Sequence, residues 1–168
     1  FNYSATTDID TLSRHDALPI LSAVVGHVTS GAMVAAAQVY DGLLAAVATS
    51  ASSPDLTGIS KWVFRVISSD SANGAEMAKF ASRTGHKRAA ILYENDNYGR
   101  GLADAFRSNF DGEIVDIDPS RADAARHEGD SADFKLKQPD IVFIAGVVGS
   151  ALAMLAEEKK QGLKTDFM

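Results

Sequence analysis

The sequence has no cysteine, which excludes a disulfide framework and any thiolate metal site. That absence suits every compartment, an oxidising one included. No apolar run approaches the roughly 20 residues that a helix needs to cross a bilayer, so no direct membrane insertion is expected. Positive charge is scarce: 16 Lys and Arg stand against 22 Asp and Glu, a formal charge of −6. Nucleic acid and anionic membranes both call for basic patches, so neither is expected as a partner. The four histidines (His15, His27, His86 and His127) are scattered, and a lone loop histidine reads as solvated before it reads as a ligand. No metal and no cofactor are expected. The strained G-x-S-x-G elbow of a serine hydrolase is missing, as are the complete G-x-G-x-x-G and P-loop patterns. No secretory signal peptide is visible and no short-period repeat recurs.

What is present suits one domain or two small lobes: 168 residues, 46% of them hydrophobic. The first 20 residues stand apart, without a sustained apolar period. Ala5–Ile20 resembles one reading frame of a common sequencing-library adapter, translated ATTEIYTLSLHDALPI. Only Asp8, Asp10 and Arg14 depart from that string. Residues 1–20 are therefore expected to be non-native, and His15 and Asp16 receive no chemical role.

From Leu21 onward, short apolar runs alternate with helical patterns. Ser22–Gly26 reads as a buried strand, with Ser30 as the N-cap of a helix from about Ala32 to Tyr40. Leu43–Ala48 and Val63–Ile67 read as strands, with a small-residue loop at Thr49–Pro54 and a short turn after it. A helix over about Asn73–Arg83 is expected to turn Met77, Phe80 and Ala81 inward and to stop at Gly85. Ala89–Tyr93 is the next strand, followed by a polar turn and a helix that opens near Gly99. Leu102, Phe106 and Phe110 share one face of that helix at four-residue spacing. Glu113–Ile117 and the strongly apolar Ile141–Ala145 are further strands, and Asp118–Pro139 supports a helix only weakly. Gly149–Gln161 is expected to form a helix with Leu152, Leu155 and Ala156 inward, stopped at Gly162. Thr165–Met168 begins another strand. Such alternation implies an α/β chain with a mainly parallel sheet, and Ser68–Asp70 is the expected crossing between two lobes.

Parallel sheets bind ligands beyond the carboxyl ends of their strands. Three loops there carry hydroxyls or an aromatic: Thr29-Ser30, Ser50–Ser53 and Asn97-Tyr98. Hydroxyls and free N–H groups suit a carboxylate, an acceptor that needs several donors. The Tyr98 ring suits an aliphatic side chain. Ser30 also occupies an elbow-like place after a strand, but capping explains it better than nucleophilic catalysis does. The glycine pairs Gly99/Gly101 and Gly146/Gly149 fit tight strand-to-helix turns better than phosphate cradles. Glu94 and Asp96 form a candidate carboxylate pair, although helix-dipole stabilisation explains their place more simply.

In order along the chain, VGHVTSG (25–31), ATSASSPDL (48–56), FRVI (64–67), YGRGLA (98–103) and QGLKTDFM (161–168) resemble the branched-chain amino-acid (Leu/Ile/Val) binding proteins of ABC transporters, a type I periplasmic binding protein family. The resemblance covers Leu21–Met168. It implies a type I periplasmic-binding-protein fold of two Rossmann-like lobes with parallel sheets, both incomplete here. Residues 21–67 would be the later part of lobe one's first segment. Residues 68–168 would cross the hinge and begin lobe two. Ser30, Ser50, Ala51 and Ser52 match the lobe-one site for the ligand's α-carboxylate and ammonium, and Tyr98 matches the lobe-two tyrosine that closes on the ligand. Val147 stands where the family has an aromatic, which implies a smaller or differently shaped wall. The acidic partner of the ammonium would lie just past Met168. Stretches near 41–47 and 134–139 are shorter than the family pattern.

What the resemblance implies is an extracytoplasmic solute-binding component. It would take a branched-chain amino acid, or a related small amino acid or amide, in an interlobe cleft and deliver it to ABC permease subunits without catalysis. Its place would be the periplasm or a lipid anchor on the extracellular face. Two alternatives stand beside it: a ligand-sensing domain of the same fold in a regulator or receptor, and a serine hydrolase or nucleotide-dependent α/β enzyme.

Overall fold

The computed structural model describes residues 21–120, 136–160, 162 and 165–168. The adapter-like segment and most of the weak helix expected over Asp118–Pro139 lie outside the described residues. The chain divides into two compact units. Of the described residues, one takes those up to Ala51 together with Gly58–Ile67, and the other takes Ser52–Thr57 and those from Ser68 onward.

In the first unit, β1 (Ala23–Val25), β2 (Ala45–Ala48) and β3 (Val63–Arg65) form a parallel sheet in that order. Helix α1 (Ser30–Tyr40) connects β1 to β2 and packs on β2. Met33, Ala37, Leu44, Ala46 and Ala48 are buried. Pairing register aligns Val25, Val47 and Phe64 across the three strands, so they share one face. Val25 and Phe64 on that face are exposed. The expectation of a buried first strand is thus corrected: β1 is the edge strand of the described sheet, and Val25 projects into solvent. The expected cap also moves by one residue. Thr29, in extended conformation, accepts the Ala32 N–H at 3.4 Å and is the N-cap. Ser30 is already the first helical residue, and it is buried.

The second unit holds β4 (Arg88–Glu94), β5 (Glu113–Ser120), β6 (Ile141–Ala145) and β7 (Asp166–Phe167), all parallel in the order β5-β4-β6-β7. Helix α2 (Asp70–Arg83) leads into β4, α3 (Asn97–Asn109) connects β4 to β5, and α4 (Val148–Lys160) connects β6 to β7. Alternate residues of β4 and β6 enter two apolar layers. Ala89, Ile91, Ile141, Phe143 and Ala145 cluster with Leu102, Ala103 and Phe106 of α3 and with Phe110, its C-cap. Ala90, Leu92 and Val142 pack with Val115, Ile144 and Phe167. Burial on both faces explains why these strands read as continuous apolar runs and not as alternating ones. Phe106 stacks between Phe143, at 4.2 Å between ring centroids, and Phe110, at 5.4 Å. Each such buried ring contributes roughly 1.5–3 kcal/mol of transfer free energy.

Two helix faces differ from expectation. Helix α2 starts at Asp70, ahead of Asn73, with Ser69 as its cap, and it buries Asp70, Gly74, Ala78 and Ala81. Met77 and Phe80 lie outside the core, Phe80 at 50% exposure. Close contact with α3 is the cause: a Cβ on Gly74 would lie 2.7 Å from both Ala105 Cβ and Leu102 O. Only small side chains fit such an approach, so the large ones turn away. On α4, Leu152 is 60% exposed and Ala156 is exposed too, while Leu155 is partly buried.

Candidate functional site

All six candidate ligand residues lie on connections that leave the carboxyl ends of strands. Ser30 follows β1, and Ser50, Ala51 and Ser52 follow β2. Tyr98 follows β4 and Val147 follows β6.

In the first unit the loops after β1 and β2 are tied together, because the Ser50 hydroxyl donates to Val28 O at 2.8 Å. This bond holds Ser50 beside the start of α1, whose first helical residue is Ser30. Ala51 is fully buried. His27 Nε2 lies 2.9 Å from the Tyr40 hydroxyl, and the two rings stack. It is a bonded histidine and not the solvated one that a loop position suggests.

The second unit reverses direction at β4: the chain adds β5 on one side, then crosses back to add β6 on the other. Such a reversal opens a crevice between the loops after β4 and β6. Tyr98, in the first turn of α3, follows the first of these loops, and Val147 belongs to the second. Tyr93 pairs with Ala145 in the last register step, and beyond it Glu94 Oε2 accepts the Val147 N–H at 3.1 Å. Gly99 permits this junction, since a Cβ there would meet Glu94 N at 2.8 Å and Ala145 O at 2.9 Å. Asp96 caps α3 by accepting the Gly99 N–H at 2.8 Å. The two carboxylates therefore serve the local frame, one as helix cap and the other as a brace for the neighbouring loop.

Tyr98 is partly buried and packs against the core cluster around Phe106. Burial pushes its phenol above the ordinary tyrosine range, and the negative charges of Asp70, Asp96 and Glu94 push it further. The hydroxyl is thus kept as a protonated donor. Val147 is 53% exposed.

Ser52 is buried, and its hydroxyl donates to Asp70 Oδ2 at 2.9 Å. The Asp70 N–H donates to Ser52 O at 2.9 Å, and Asn73 Nδ2 donates to Asp70 Oδ1 at 3.2 Å. Asp70, at 1% exposure, is the residue that pattern reading missed. Its only sequence signal is Ser69-Asp70 ahead of a helical period, which marks a helix start and says nothing of a buried carboxylate. His86 bonds Thr84 Oγ1 at 2.9 Å and Asp166 Oδ2 at 3.1 Å. Among the described residues no group of three or more His, Cys, Asp or Glu is arranged to hold a metal ion, and no helix is long and apolar enough to cross a membrane.

A family model described as periplasmic binding protein matches residues 17–168. The Leu/Ile/Val-binding protein of Citrobacter freundii is 29% identical over 152 residues, covering 86% of this chain and 41% of that protein. Among solved structures, an ABC transporter substrate-binding protein from Desulfitobacterium hafniense in complex with Leu superposes with a TM-score of 0.73 at 27% identity, over 94% of this chain and 52% of that one. The branched-chain amino acid transporter substrate binding protein from Streptococcus pneumoniae in complex with isoleucine gives 0.79 at 26% identity, over 98% and 46%. The chain spans about 41% of the length of that curated relative. With its parallel sheets and strand-end loops, the chain belongs to the periplasmic binding protein family.

Proposed function

We propose that this chain supplies ligand-contacting loops of an extracytoplasmic solute-binding component of an ABC transporter, with a branched-chain amino acid or a related small amino acid or amide as ligand. One observation carries the proposal: Ser30, Ser50, Ala51, Ser52, Tyr98 and Val147 all lie beyond strand carboxyl ends, on the connections after β1, β2, β4 and β6. Hydroxyl and backbone N–H donors of the first unit's loops suit the ligand's carboxylate. Tyr98, held protonated, donates a hydrogen bond and covers aliphatic surface. Val147 leaves room beside it and sets side-chain selectivity. Residues 21–67 are assigned to the first lobe and 68–168 to the crossing and second lobe. Ligand contacting both lobes stabilises the closed arrangement by its differential contacts, and permease subunits receive that form. The role is binding, without turnover.

Thermal unfolding of the purified protein against a panel of amino acids tests this directly. Leucine, isoleucine or valine at 100 times Kd should stabilise by about 2.7 kcal/mol, because ligand binds the native state alone. Ser30→Ala should weaken that response. A flat response across all proteinogenic amino acids and simple amides, or measurable ester hydrolysis abolished by Ser30→Ala, would overturn the assignment.

A further inference from the structure

The connection between β2 and β3 leaves and re-enters the first unit's sheet, yet its middle portion, Ser52–Thr57, is part of the second unit. It forms an arm, centred on the 3-10 turn Pro54–Leu56, that lies on the first turn of α3. Three attachments hold it. Ser52 is bonded to Asp70 through both hydroxyl and carbonyl. Asn97 Nδ2 donates to Asp55 Oδ2 at 2.8 Å, a charge-assisted bond. Pro54 seats on Gly101: a Cβ at that position would lie 2.5 Å from Pro54 Cδ and 3.3 Å from Cγ. Asn97 and Gly101 are four residues apart and so share one face of α3. Glycine at 101 is what leaves the arm its seat.

We infer that this arm is a latch coupled to ligand binding, with Asn97 and Gly101 as positioning residues that act through it. The inference rests on the functional assignment above. The arm begins with Ser52, at the end of the hydroxyl loop proposed to meet the ligand. The helix turn it docks on carries Tyr98, the proposed partner on the other side. Docking the arm therefore fixes Ser52 and Tyr98 relative to each other within the second unit. A ligand that uses both binds a geometry that exists only while the arm is seated, so undocking reduces apparent affinity by the fraction of seated protein. Ligand in turn holds the arm down, as reciprocity of coupling requires.

Asn97→Ala removes the tie to Asp55, and Gly101→Ala fills the seat of Pro54. Neither residue is among the proposed ligand contacts. In the wild-type protein, leucine should slow amide hydrogen exchange over Ser53–Gly58. Both variants should exchange faster there without ligand, lose the leucine-dependent protection, and bind leucine about fivefold more weakly or worse, with the change in the dissociation rate. The latch is refuted if both variants keep wild-type affinity and exchange while wild type binds leucine. A wild-type protein that binds no amino acid refutes the functional assignment itself and the ligand coupling with it. Unchanged circular dichroism and melting in either variant separates loss of the latch from loss of the fold.

Discussion

At the scale of single residues, several side chains have roles that type and position alone do not reveal. Asp70 is acidic and falls in the expected crossing at Ser68–Asp70, ahead of the expected helix; the fold buries it and makes it the anchor of Ser52. Glu94 and Asp96 look like a carboxylate pair, yet one braces the Val147 loop and the other caps α3. Tyr98 was legible as a strand-end aromatic, while its surroundings of three carboxylates were not, because Asp70 is distant in sequence. Those surroundings and its burial raise the phenol's pKa. Between the ordinary value near 10 and the raised folded value, the folded chain keeps a proton that the unfolded chain has released. Stability due to this group therefore falls as pH rises from about 10, and below that it adds no pH dependence. Phenolate absorbance of wild type minus Tyr98→Phe should titrate above the ordinary tyrosine range. A difference titration at or below it would contradict the placement of Tyr98 among those charges.

At the scale of elements, apolar runs and turn residues marked nearly every strand and helix, but helix faces were less legible. Leu102, Phe106 and Phe110 are buried as their spacing implies, since α3 packs on a sheet that accommodates large side chains. On α2 the same logic selects Met77, Phe80 and Ala81; Ala81 is buried as expected, but its buried companions are Gly74 and Ala78, not the two large side chains. Periodicity identifies a stripe of large residues; it cannot signal that a neighbouring helix approaches too closely for them. This gives a test in which two effects oppose. Gly74→Ala should gain roughly 0.5–1 kcal/mol from helix propensity. It should also place a methyl 2.7 Å from Leu102 O, a backbone atom, and such overpacking costs about 1–3 kcal/mol. Net destabilisation is expected in urea unfolding, and a stabilised variant would show that α2 and α3 are not this close.

At the scale of the whole molecule, the two units differ in what they bury. The second buries Phe143, Ile91 and Val142 of a sheet covered on both faces, with Phe106 of α3 packed against it. The first relies on Met33, Leu44 and several alanines, and leaves Val25 and Phe64 exposed on one sheet face. Alanine buries little apolar area, so the amides of β4 and β6 should exchange most slowly and those of β1 to β3 sooner. Equal protection of the two sheets would contradict that ordering. The sequence alone sets the α/β class, the parallel strands and which loops carry the hydroxyls and Tyr98, because these follow from local periodicity and turn chemistry. It also carried the family resemblance, through short loops in fixed order. Tertiary structure alone decided that the Ser52–Thr57 arm sits on α3, that Asp70 anchors Ser52, and that α2 turns its small residues inward. Those outcomes depend on contacts between residues far apart in the chain, where proximity is set by packing and leaves no mark in the local pattern. The strand-end loops were legible one at a time; what holds Ser52 and Tyr98 in register was not.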